Sequence, residues 1–324
     1  MLYSLALREL QTGINLIDIG ASGQLDKKWK PIESLLNLVA FDPNEDECRR
    51  LASLPSKLRS ATYLPYAVGG EDEQATLFKT ESIYCYTVCE PNRPWLDRFT
   101  FGDLFAVTGT EPIPVRRFGG IEELAGFDAD VIKTDSQGLD LQILSNAGNL
   151  LERAFYVETE TGFVENCLGE TTYAQIDEFM RSQGFLLFDL GAHHRVPRRN
   201  RLAHHRSGRE QILWCESVWL KDYVWLAKQG RPLALDRQKA IKALTLCGLQ
   251  QCHDFGYELA CLFHELGWIS KDELQALSRP SSWRLGTQIG SLPITAYGYF
   301  LRLFPSKMRK ALADETGRVL NQPD

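Results

Sequence analysis

Short apolar runs alternate with helical patterns over the first two thirds of the chain. Residues 14–19 (INLIDI) and 38–41 (LVAF) are nearly continuous apolar runs, and residues 27–36 between them have helical spacing. Such runs are typical of parallel strands that helices cover on both faces. Further strand-like runs follow at residues 60–68, 75–79, 112–118, 130–135, 155–158, 184–189 and 211–220. The alternation predicts an α/β protein with a doubly wound, mostly parallel sheet.

The pattern changes after residue 220. Residues 234–246 and 252–266 carry apolar side chains three and four positions apart, and residues 271–277 add a short helical segment. This periodicity is typical of helices with one buried face. We therefore predict two parts, a sheet domain at residues 1–220 and a helical C-terminal extension of unknown role at residues 221–324.

Acidic residues and a glycine-rich turn lie where the first two strands end. Asp18 precedes the turn at residues 20–23, and Asp42 follows the second strand. In open α/β sheets, ligands bind outside the carboxyl ends of the strands. The arrangement predicts a nucleoside pocket in which Asp42 binds a ribose diol.

The spacing of the glycines distinguishes two nucleoside cofactors. Dinucleotide enzymes use G-x-G-x-x-G to bring backbone amides onto a pyrophosphate, whereas this turn reads Gly-Ala-Ser-Gly with Asp18 two residues ahead of it. A carboxylate repels a pyrophosphate but attracts the sulfonium and ammonium groups of S-adenosylmethionine. The turn therefore favours S-adenosylmethionine over NAD. An NAD-dependent oxidoreductase and a non-catalytic Rossmann-like binding module are the alternatives.

Composition restricts the compartment and the partners. The net charge of −6 gives no general affinity for nucleic acid. The first ten residues become charged too soon for a secretory signal, and no apolar run reaches the roughly 20 residues of a membrane span. The eight cysteines form no C-x-x-C pair, so we expect reduced thiols and predict no metal site. These features predict a cytoplasmic protein with no transmembrane segment and no nucleic-acid partner.

Six segments carry a resemblance to a known family. They read LIDIGASG (16–23), VAFDPN (39–44), AVGG (67–70), VIKTDSQGLDLQIL (131–144), YVETE (156–160) and GFLLFDL (184–190). On these segments, residues 13–220 resemble the FkbM-type S-adenosylmethionine-dependent methyltransferases. The resemblance implies the class I methyltransferase fold, a Rossmann-like, mostly parallel seven-stranded sheet with helices on both faces.

The resemblance also implies roles for individual residues. Asp18, Gly20, Ala21 and Gly23 would line the methionine end of the cofactor, and Asp42 would bind the ribose hydroxyls. The predicted cofactor-binding set is Asp18, Gly20, Ala21, Ser22, Gly23, Asp42, Pro43, Asn44, Ala67, Val68, Asp135 and Ser136. The chain departs from the family at Ser22, which is often Asn, and at Gln137, which is often an acid. The second departure argues against a mechanism that needs another carboxylate at that position.

Family members mostly methylate hydroxyl groups, so the resemblance implies O-methyl transfer to a carbohydrate, glycolipid or secondary metabolite. An alcohol needs a base, and Asp135 at a strand end is our first candidate. Glu158, which ends the neighbouring strand, is the second. Lys133 would orient Asp135 or stabilise an alkoxide. A structural ion pair among these three residues is the alternative reading, and a magnesium ion on Asp135 and Glu158 is left open but not predicted.

Two further segments bear on the acceptor. Residues 193–209 contain six arginines and four histidines, and arginine suits the capture of phosphate or carboxylate. We therefore predict Gln137, His193, Arg195 and Arg198 as substrate-binding residues for a small-molecule or glycan acceptor, which this loop allows to be anionic. A solvated charged loop is the alternative. Residues 81–101 are aromatic and irregular, typical of a loop folded over a ligand. The aromatic segment 292–304 leaves a homo-oligomer open.

Overall fold

The computed structural model describes residues 2–23, 25–191, 193–203, 209–283 and 285. A division between residues 284 and 285 separates two units of the chain, and the elements below belong to the first. The second pair of histidines in the arginine-rich loop, at positions 204 and 205, and the aromatic segment 292–304 lie outside the described residues.

The described ranges contain eleven strands and ten α-helices. The strands are β1 (Ile14–Ile19), β2 (Leu36–Phe41), β3 (Ser60–Leu64), β4 (Ala67–Gly69), β5 (Glu73–Thr80), β6 (Val107–Arg117), β7 (Val131–Thr134), β8 (Tyr156–Gly162), β9 (Phe185–Asp189), β10 (His193–Val196) and β11 (Gln211–Lys221). The helices are α1 (Leu2–Glu9), α2 (Glu45–Ser53), α3 (Arg93–Leu96), α4 (Asp140–Ser145), α5 (Asn149–Arg153), α6 (Tyr173–Ser182), α7 (Tyr223–Lys228), α8 (Arg237–Leu249), α9 (His253–Glu265) and α10 (Lys271–Leu277). Short 3₁₀ helices occupy Lys27–Leu35, Ile83–Cys85, Gly102–Phe105, Phe118–Gly120, Glu122–Leu124 and Pro280–Trp283.

The main sheet has the order β10-β11-β8-β7-β1-β2-β3. Strands β3, β2, β1, β7 and β8 run parallel, and β11 runs antiparallel to β8. The chain leaves β3 at one edge and returns as β7 on the other side of β1, so the switch point lies between β1 and β7. This topology is the class I methyltransferase fold, and the predicted fold class is confirmed. The sheet has eight described strands instead of seven, because β9 and β10 pair with different halves of β11.

The strand predicted at residues 60–68 is in fact two strands in different sheets. β3 joins the main sheet, while β4 belongs to a second sheet with the order β4-β6-β5. Pro65 lies between β3 and β4, and a proline cannot donate a hydrogen bond to a continuing ladder. The second sheet supplies part of the cavity wall described below.

The helix predicted at residues 27–36 is a 3₁₀ helix that ends at Leu35. Pro31 lies inside it, and Asp26 caps its start by accepting a hydrogen bond from the backbone N–H of Lys28 at 2.8 Å. Proline has no N–H for a regular α-helical bond, which favours the short, tight form. The predicted apolar side is nevertheless correct, because Trp29 and Ile32 are buried.

Helix α8 binds to the amino end of the sheet through buried ion pairs. The ammonium groups of Lys239 and Lys242 lie 2.6 and 2.8 Å from the two carboxylate oxygens of Asp130. Asp130, which precedes β7, also accepts a hydrogen bond from the backbone N–H of Asn15 at 2.8 Å. Helix α8 is therefore fixed to the sheet. In the part of the chain that the structure describes, no helix is both long and apolar enough to cross a membrane.

Candidate active site

The turn after β1 brings three strand ends together. The backbone N–H groups of Gly20 and Ala21 both donate to the carbonyl oxygen of Phe41 at 2.9 Å, and the N–H of Asp135 donates to Ile19 at 2.9 Å. Gly20 has φ +80°, and a Cβ at this position would lie 2.0 Å from the carbonyl oxygen of Asp135. Only glycine therefore allows β1 and β7 to end this close together.

Helix α2 fixes both the turn and the acid that follows β2. The carboxylate of Glu47 accepts a hydrogen bond from the N–H of Gly23 at 2.9 Å. The side chain of Asn44 caps the helix by accepting from the N–H of Glu47 at 3.2 Å. Asp42 in turn accepts from the N–H of Asn44 at 2.7 Å, and burial raises the pKa of Asp42 against the effect of this bond. The carboxylate of Asp42 is thus held beside the glycine-rich turn.

These groups line one cavity of about 1280 Å³ at the carboxyl ends of the strands. A single small ligand typically fills a pocket of roughly 300–1,000 Å³, so the cavity has room for a cofactor and an acceptor. Eleven of the predicted cofactor- and substrate-binding residues line it: Gly20, Ser22, Gly23, Asp42, Pro43, Asn44, Ala67, Val68, Asp135, Ser136 and Gln137. Asp18 and Ala21 do not line the cavity.

Asp18, Lys133 and Glu158 form a row beneath the cavity. They are paired positions on the neighbouring strands β1, β7 and β8. The ammonium of Lys133 lies 3.0 Å from the carboxylate of Asp18. Burial opposes the charge of Lys133, yet the neighbouring carboxylates of Asp18, Asp135 and Glu158 together raise its pKa. The row therefore contains the ion pair of Asp18 and Lys133, and the charge of Lys133 favours the ionised form of Asp135.

Glu158, the second candidate base, does not line the cavity. It is 1 % exposed, pairs with Lys28 of the first 3₁₀ helix, and accepts a hydrogen bond from the hydroxyl of Tyr156 at 2.5 Å. Lys133 is likewise absent from the cavity wall. Among the three predicted catalytic residues, the cavity is lined by Asp135.

Sequence reasoning missed two glutamates in the cavity wall, Glu160 and Glu170. Glu160 follows Glu158 by two positions, so it lies on the same side of β8 and next to Asp135. The predicted strand ended at residue 158, whereas β8 continues to Gly162. The available signal was the second acid of the segment YVETE. Glu170 comes from the loop before α6, and no sequence pattern placed it near the site.

Burial raises the pKa values of both missed glutamates. The pKa of Glu160 rises to about 9, because burial is reinforced by Asp135 and Asp140. The pKa of Glu170 rises to about 7 through burial, although its carboxylate accepts hydrogen bonds from the N–H groups of Asn166 and Cys167 at 2.7 and 2.9 Å. The cavity therefore contains acidic groups that lack compensating charge.

The turn after β7 orients Asp135. Gln137 has φ +54°, an uncommon conformation for a residue other than glycine, and such conformations cluster at functional sites. Its side-chain amide donates to the carboxylate of Asp135 at 3.2 Å. Burial raises the pKa of Asp135, with Lys133 and Gln137 opposing the rise and Asp18 and Glu158 adding to it. Gln137 thus replaces the acid that the family often has with a hydrogen-bond donor.

The opposite wall of the cavity is aromatic. Tyr84, Phe101 and Phe105, from the irregular segment between β5 and β6, line the cavity. The ring of His194 stacks on that of Trp214 with 4.9 Å between centroids, and both residues also line it. The predicted aromatic loop therefore faces the site.

The predicted arginines lie elsewhere. Arg195 donates to the carbonyl oxygen of Glu210 at 3.0 Å, and Arg198 bonds to Gln211 and lies over the ring of Phe99, 4.4 Å from its centroid. Neither side chain lines the cavity. His193 belongs to β10, and its side chain lies outside the described part of the structure. Among the four predicted substrate-binding residues, Gln137 lines the cavity.

Within the described ranges, no group of three or more histidine, cysteine, aspartate and glutamate side chains is arranged to hold a metal ion.

Comparisons with known proteins agree with the class I methyltransferase fold that the strand order defines. Residues 29–187 match the model of the methyltransferase FkbM domain. The matched segment is therefore a methyltransferase FkbM domain, and this match supports S-adenosylmethionine as the cofactor. No curated protein matches the chain.

Solved structures with a similar fold include three methyltransferases. The precorrin-6y C5,15-methyltransferase of Geobacter metallireducens has 12% identity and a TM-score of 0.32, covering 68% of this chain and 87% of its own. An S-adenosylmethionine-dependent methyltransferase of Methanosarcina mazei has 11% identity and a TM-score of 0.32, with 68% and 97% covered. The magnesium protoporphyrin IX methyltransferase of Synechocystis has 8% identity and a TM-score of 0.30, with 68% and 76% covered.

The cavity fits S-adenosylmethionine. Gly20 leaves no room for a side chain where the strands meet, and Gly23 faces open space with φ +85°, so the backbone of the turn is accessible to a ligand. Asp42 presents a carboxylate at the end of β2, where a ribose diol would donate to it. The acidic groups around Asp135 suit a sulfonium cation.

Proposed function

We propose that this methyltransferase acts on a hydroxyl group of a carbohydrate, a glycolipid or a secondary metabolite. The observation that supports this acceptor chemistry is the carboxylate of Asp135, which lines the same cavity as the glycine-rich turn and Asp42. An alcohol needs a base beside the methyl donor to remove its proton, whereas an already basic nucleophile does not need one.

The cofactor would be held by residues from three strand ends. Asp42 would accept hydrogen bonds from the ribose hydroxyls, and the turn from Gly20 to Gly23 would contact the methionine portion. Asp18 would act from behind this turn, since its carboxylate is paired with Lys133. When bound, S-adenosylmethionine supplies a methyl group that its sulfonium has already activated.

Asp135 would accept the proton that the acceptor hydroxyl loses as its oxygen attacks the methyl carbon. Lys133 favours the ionised form of Asp135 through its charge, and Gln137 holds the carboxylate in place through a 3.2 Å hydrogen bond. The remaining contribution to catalysis is positioning. When the methyl donor and the acceptor are held in line within one cavity, the transfer becomes effectively unimolecular, and less entropy is lost on reaching the transition state. Lys133 and Glu158 would then support the base instead of contacting the acceptor.

The test is methyl transfer by the wild-type protein. The protein is incubated with S-adenosylmethionine and a panel of oligosaccharides, glycolipids and polyols, and S-adenosylhomocysteine formation is measured. The methylated position is identified by mass spectrometry and NMR. We expect a methoxy product from at least one acceptor class. Products methylated only on nitrogen or carbon would contradict the proposed acceptor chemistry, and NAD-linked oxidation of the same alcohols would contradict the function.

A further inference from the structure

The positive side chains around the cavity are already neutralised. Arg49, Arg50 and Lys79 are the lysines and arginines that line it among the described residues. Arg49 pairs with Asp46 at 3.0 Å and Arg50 with Glu47 at 2.6 Å. Lys79 on β5 pairs with Glu111 on β6 at 2.5 Å. Each of the three cationic side chains therefore already has an acidic partner.

The acidic side chains near the reacting end are not neutralised. Asp135, Glu160 and Glu170 line the cavity, and none forms an ion pair within the described residues. Glu170 lies against the end of β8, because a Cβ on Gly162 would be 2.6 Å from its Oε1 oxygen. Gly162 follows Glu160 by two positions on the same side of the strand. Both glutamates therefore line the cavity, Glu160 from β8 and Glu170 from the loop that packs against the end of this strand.

The cofactor offsets only part of this charge. S-adenosylmethionine carries a sulfonium, an ammonium and a carboxylate, so its net charge is one positive unit. Three acidic groups face it, and burial raises the pKa values of all three in the protein alone. The raised pKa values favour the protonated acids in the protein alone, so a bound cation would restore their ionised form, whereas a phosphate or carboxylate would find no opposite charge there.

The aromatic wall suits the same kind of acceptor. Trp214, His194 and Phe101 line the cavity, and the rings of Trp214 and Phe101 lie 5.3 Å apart. The face of an aromatic ring attracts a cation and accommodates the apolar face of a second ring. An acceptor with a ring and a positive charge would contact both the aromatic and the acidic surface.

We propose that Glu160 and Glu170 select an acceptor that carries a protonated amine close to the hydroxyl that is methylated, as in an amino sugar with a free amine. This inference rests on the proposed function and names its acceptor class. Both carboxylates would hold the amine in its protonated form. A protonated amine has no lone pair to attack the methyl group, so the hydroxyl oxygen remains the nucleophile.

The test compares two matched probes by isothermal titration. The protein is first titrated with S-adenosylhomocysteine, and the saturated protein is then titrated at pH 7 with the trimer of glucosamine or with its fully N-acetylated form. We expect the free-amine trimer to bind at least about tenfold more tightly, which corresponds to about 1.4 kcal/mol. Glu160→Gln and Glu170→Gln should each remove most of this preference. Glu165→Gln is the matched control, because Glu165 is exposed on the same loop and does not line the cavity.

The outcomes separate this inference from the proposed function. If S-adenosylhomocysteine does not bind, both are wrong. If it binds but the trimers bind equally or not at all, the acceptor inference alone is overturned. Retained S-adenosylhomocysteine affinity in the glutamine variants shows that they are folded. A preference that survives both substitutions would also overturn the inference, because the amine would then be recognised by other groups.

Discussion

Two aspartates at opposite ends of strand β7 have opposite surroundings. Asp130, just before the strand, is 1 % exposed and receives the ammonium groups of Lys239 and Lys242 at 2.6 and 2.8 Å. Asp135, just after the strand, receives one amide hydrogen bond from Gln137 and forms no ion pair among the described residues. Both carboxylates are shielded from most of the solvent, but only Asp130, at the amino end of β7, has its charge neutralised by lysine side chains of the protein.

The difference separates a structural acidic group from a functional one. A buried carboxylate that has a structural role is paired with cations of the same chain, since an unpaired buried charge is strongly destabilising. At the carboxyl end of the sheet the protein leaves acidic groups under-compensated, and their pKa values are raised. Such perturbed groups in a cavity indicate a site whose missing charge is brought by a ligand. The cofactor sulfonium and the proposed amine are the ligand groups that fit.

Asp135→Asn should have the largest effect, and the effect should be on activity. Loss of the base is expected to lower the rate of methyl transfer by roughly 100- to 10,000-fold. The fold should be at least as stable as the wild type, because burial opposes the charge of Asp135. The rate is measured as S-adenosylhomocysteine release with an acceptor that the wild type methylates, and stability is measured by thermal unfolding. A variant that is fully active would exclude Asp135 as the base.

Asp130→Asn should have the opposite profile, with its effect on stability. The substitution leaves the buried ammonium group of Lys242 without a carboxylate and leaves Lys239 with Asp128 alone, at 2.9 Å, which is expected to cost about 3–5 kcal/mol. Urea unfolding measures this loss. Asp103→Asn is the control, because the side chain of Asp103 is 71 % exposed in its pair with Arg199 and its loss should cost much less. If Asp130→Asn were as stable as the wild type, Asp130 would not have a structural role, and the proposed difference between the two ends of β7 would be contradicted.

Gly20→Ala and Gly23→Ala form a matched pair at the turn. Both glycines have positive φ angles, but a Cβ at Gly20 meets the backbone of Asp135, whereas a Cβ at Gly23 meets open space. We expect a cost of about 1 kcal/mol for Gly23→Ala and roughly 3 kcal/mol for Gly20→Ala, from the added clash. Binding of S-adenosylhomocysteine should weaken more in Gly20→Ala. Equal effects would show that the strand ends are not held together as tightly as the geometry indicates.

Glu160→Gln should have the smallest effect, and the effect should depend on pH. The folded-state pKa of Glu160 is about 9, above its ordinary value of 4.5. Its protonated form is stable in the fold, so wild-type stability is lost as pH rises from about 4.5 through 9. Glutamine does not ionise, and we expect the variant to be more stable than the wild type near pH 9 and similar to it near pH 4.5.

Glu273 gives a control with the opposite sign. Its ion pair with Arg237 lowers the pKa of Glu273 to about 2. Its contribution to stability is therefore present above pH 4.5 and is lost as pH falls through 2. Glu273→Gln should be less stable than the wild type at pH 7, with a difference that shrinks in acid. Unfolding of both variants across pH 3 to 9 would reveal the two opposite trends, and parallel curves would contradict them.

Much of the fold could be predicted because local apolar patterns mark buried strands and helices. The run at residues 14–19 is β1, and the helical spacing at residues 271–277 is α10. The division of residues 60–68 between two sheets could not be predicted, because the partner of β4 is β6, nearly fifty residues further along the chain. Helix α1 was also missed, since residues 2–9 were read only for a signal sequence.

The candidate site was predicted in part for the same reason. Asp42 directly follows an apolar run and Asp135 follows the strand-like run at residues 130–134, so strand ends located them. Glu170 comes from a loop and reaches the cavity through tertiary packing against Gly138 and Gly162, which no local pattern encodes. The arginines were predicted at the site from charge alone, but Arg198 packs on aromatic rings outside it.

The most direct measurement is isothermal titration of the wild type and Asp42→Ala with S-adenosylhomocysteine, with NAD as the comparison ligand. We predict micromolar binding of S-adenosylhomocysteine by the wild type and none of NAD. Asp42→Ala should weaken binding by roughly 10- to 100-fold, because hydrogen bonds from the ribose to a charged group contribute about 1.5–3 kcal/mol. Binding of NAD, or binding of S-adenosylhomocysteine that Asp42→Ala leaves unchanged, would contradict the assignment of this cavity as the cofactor site.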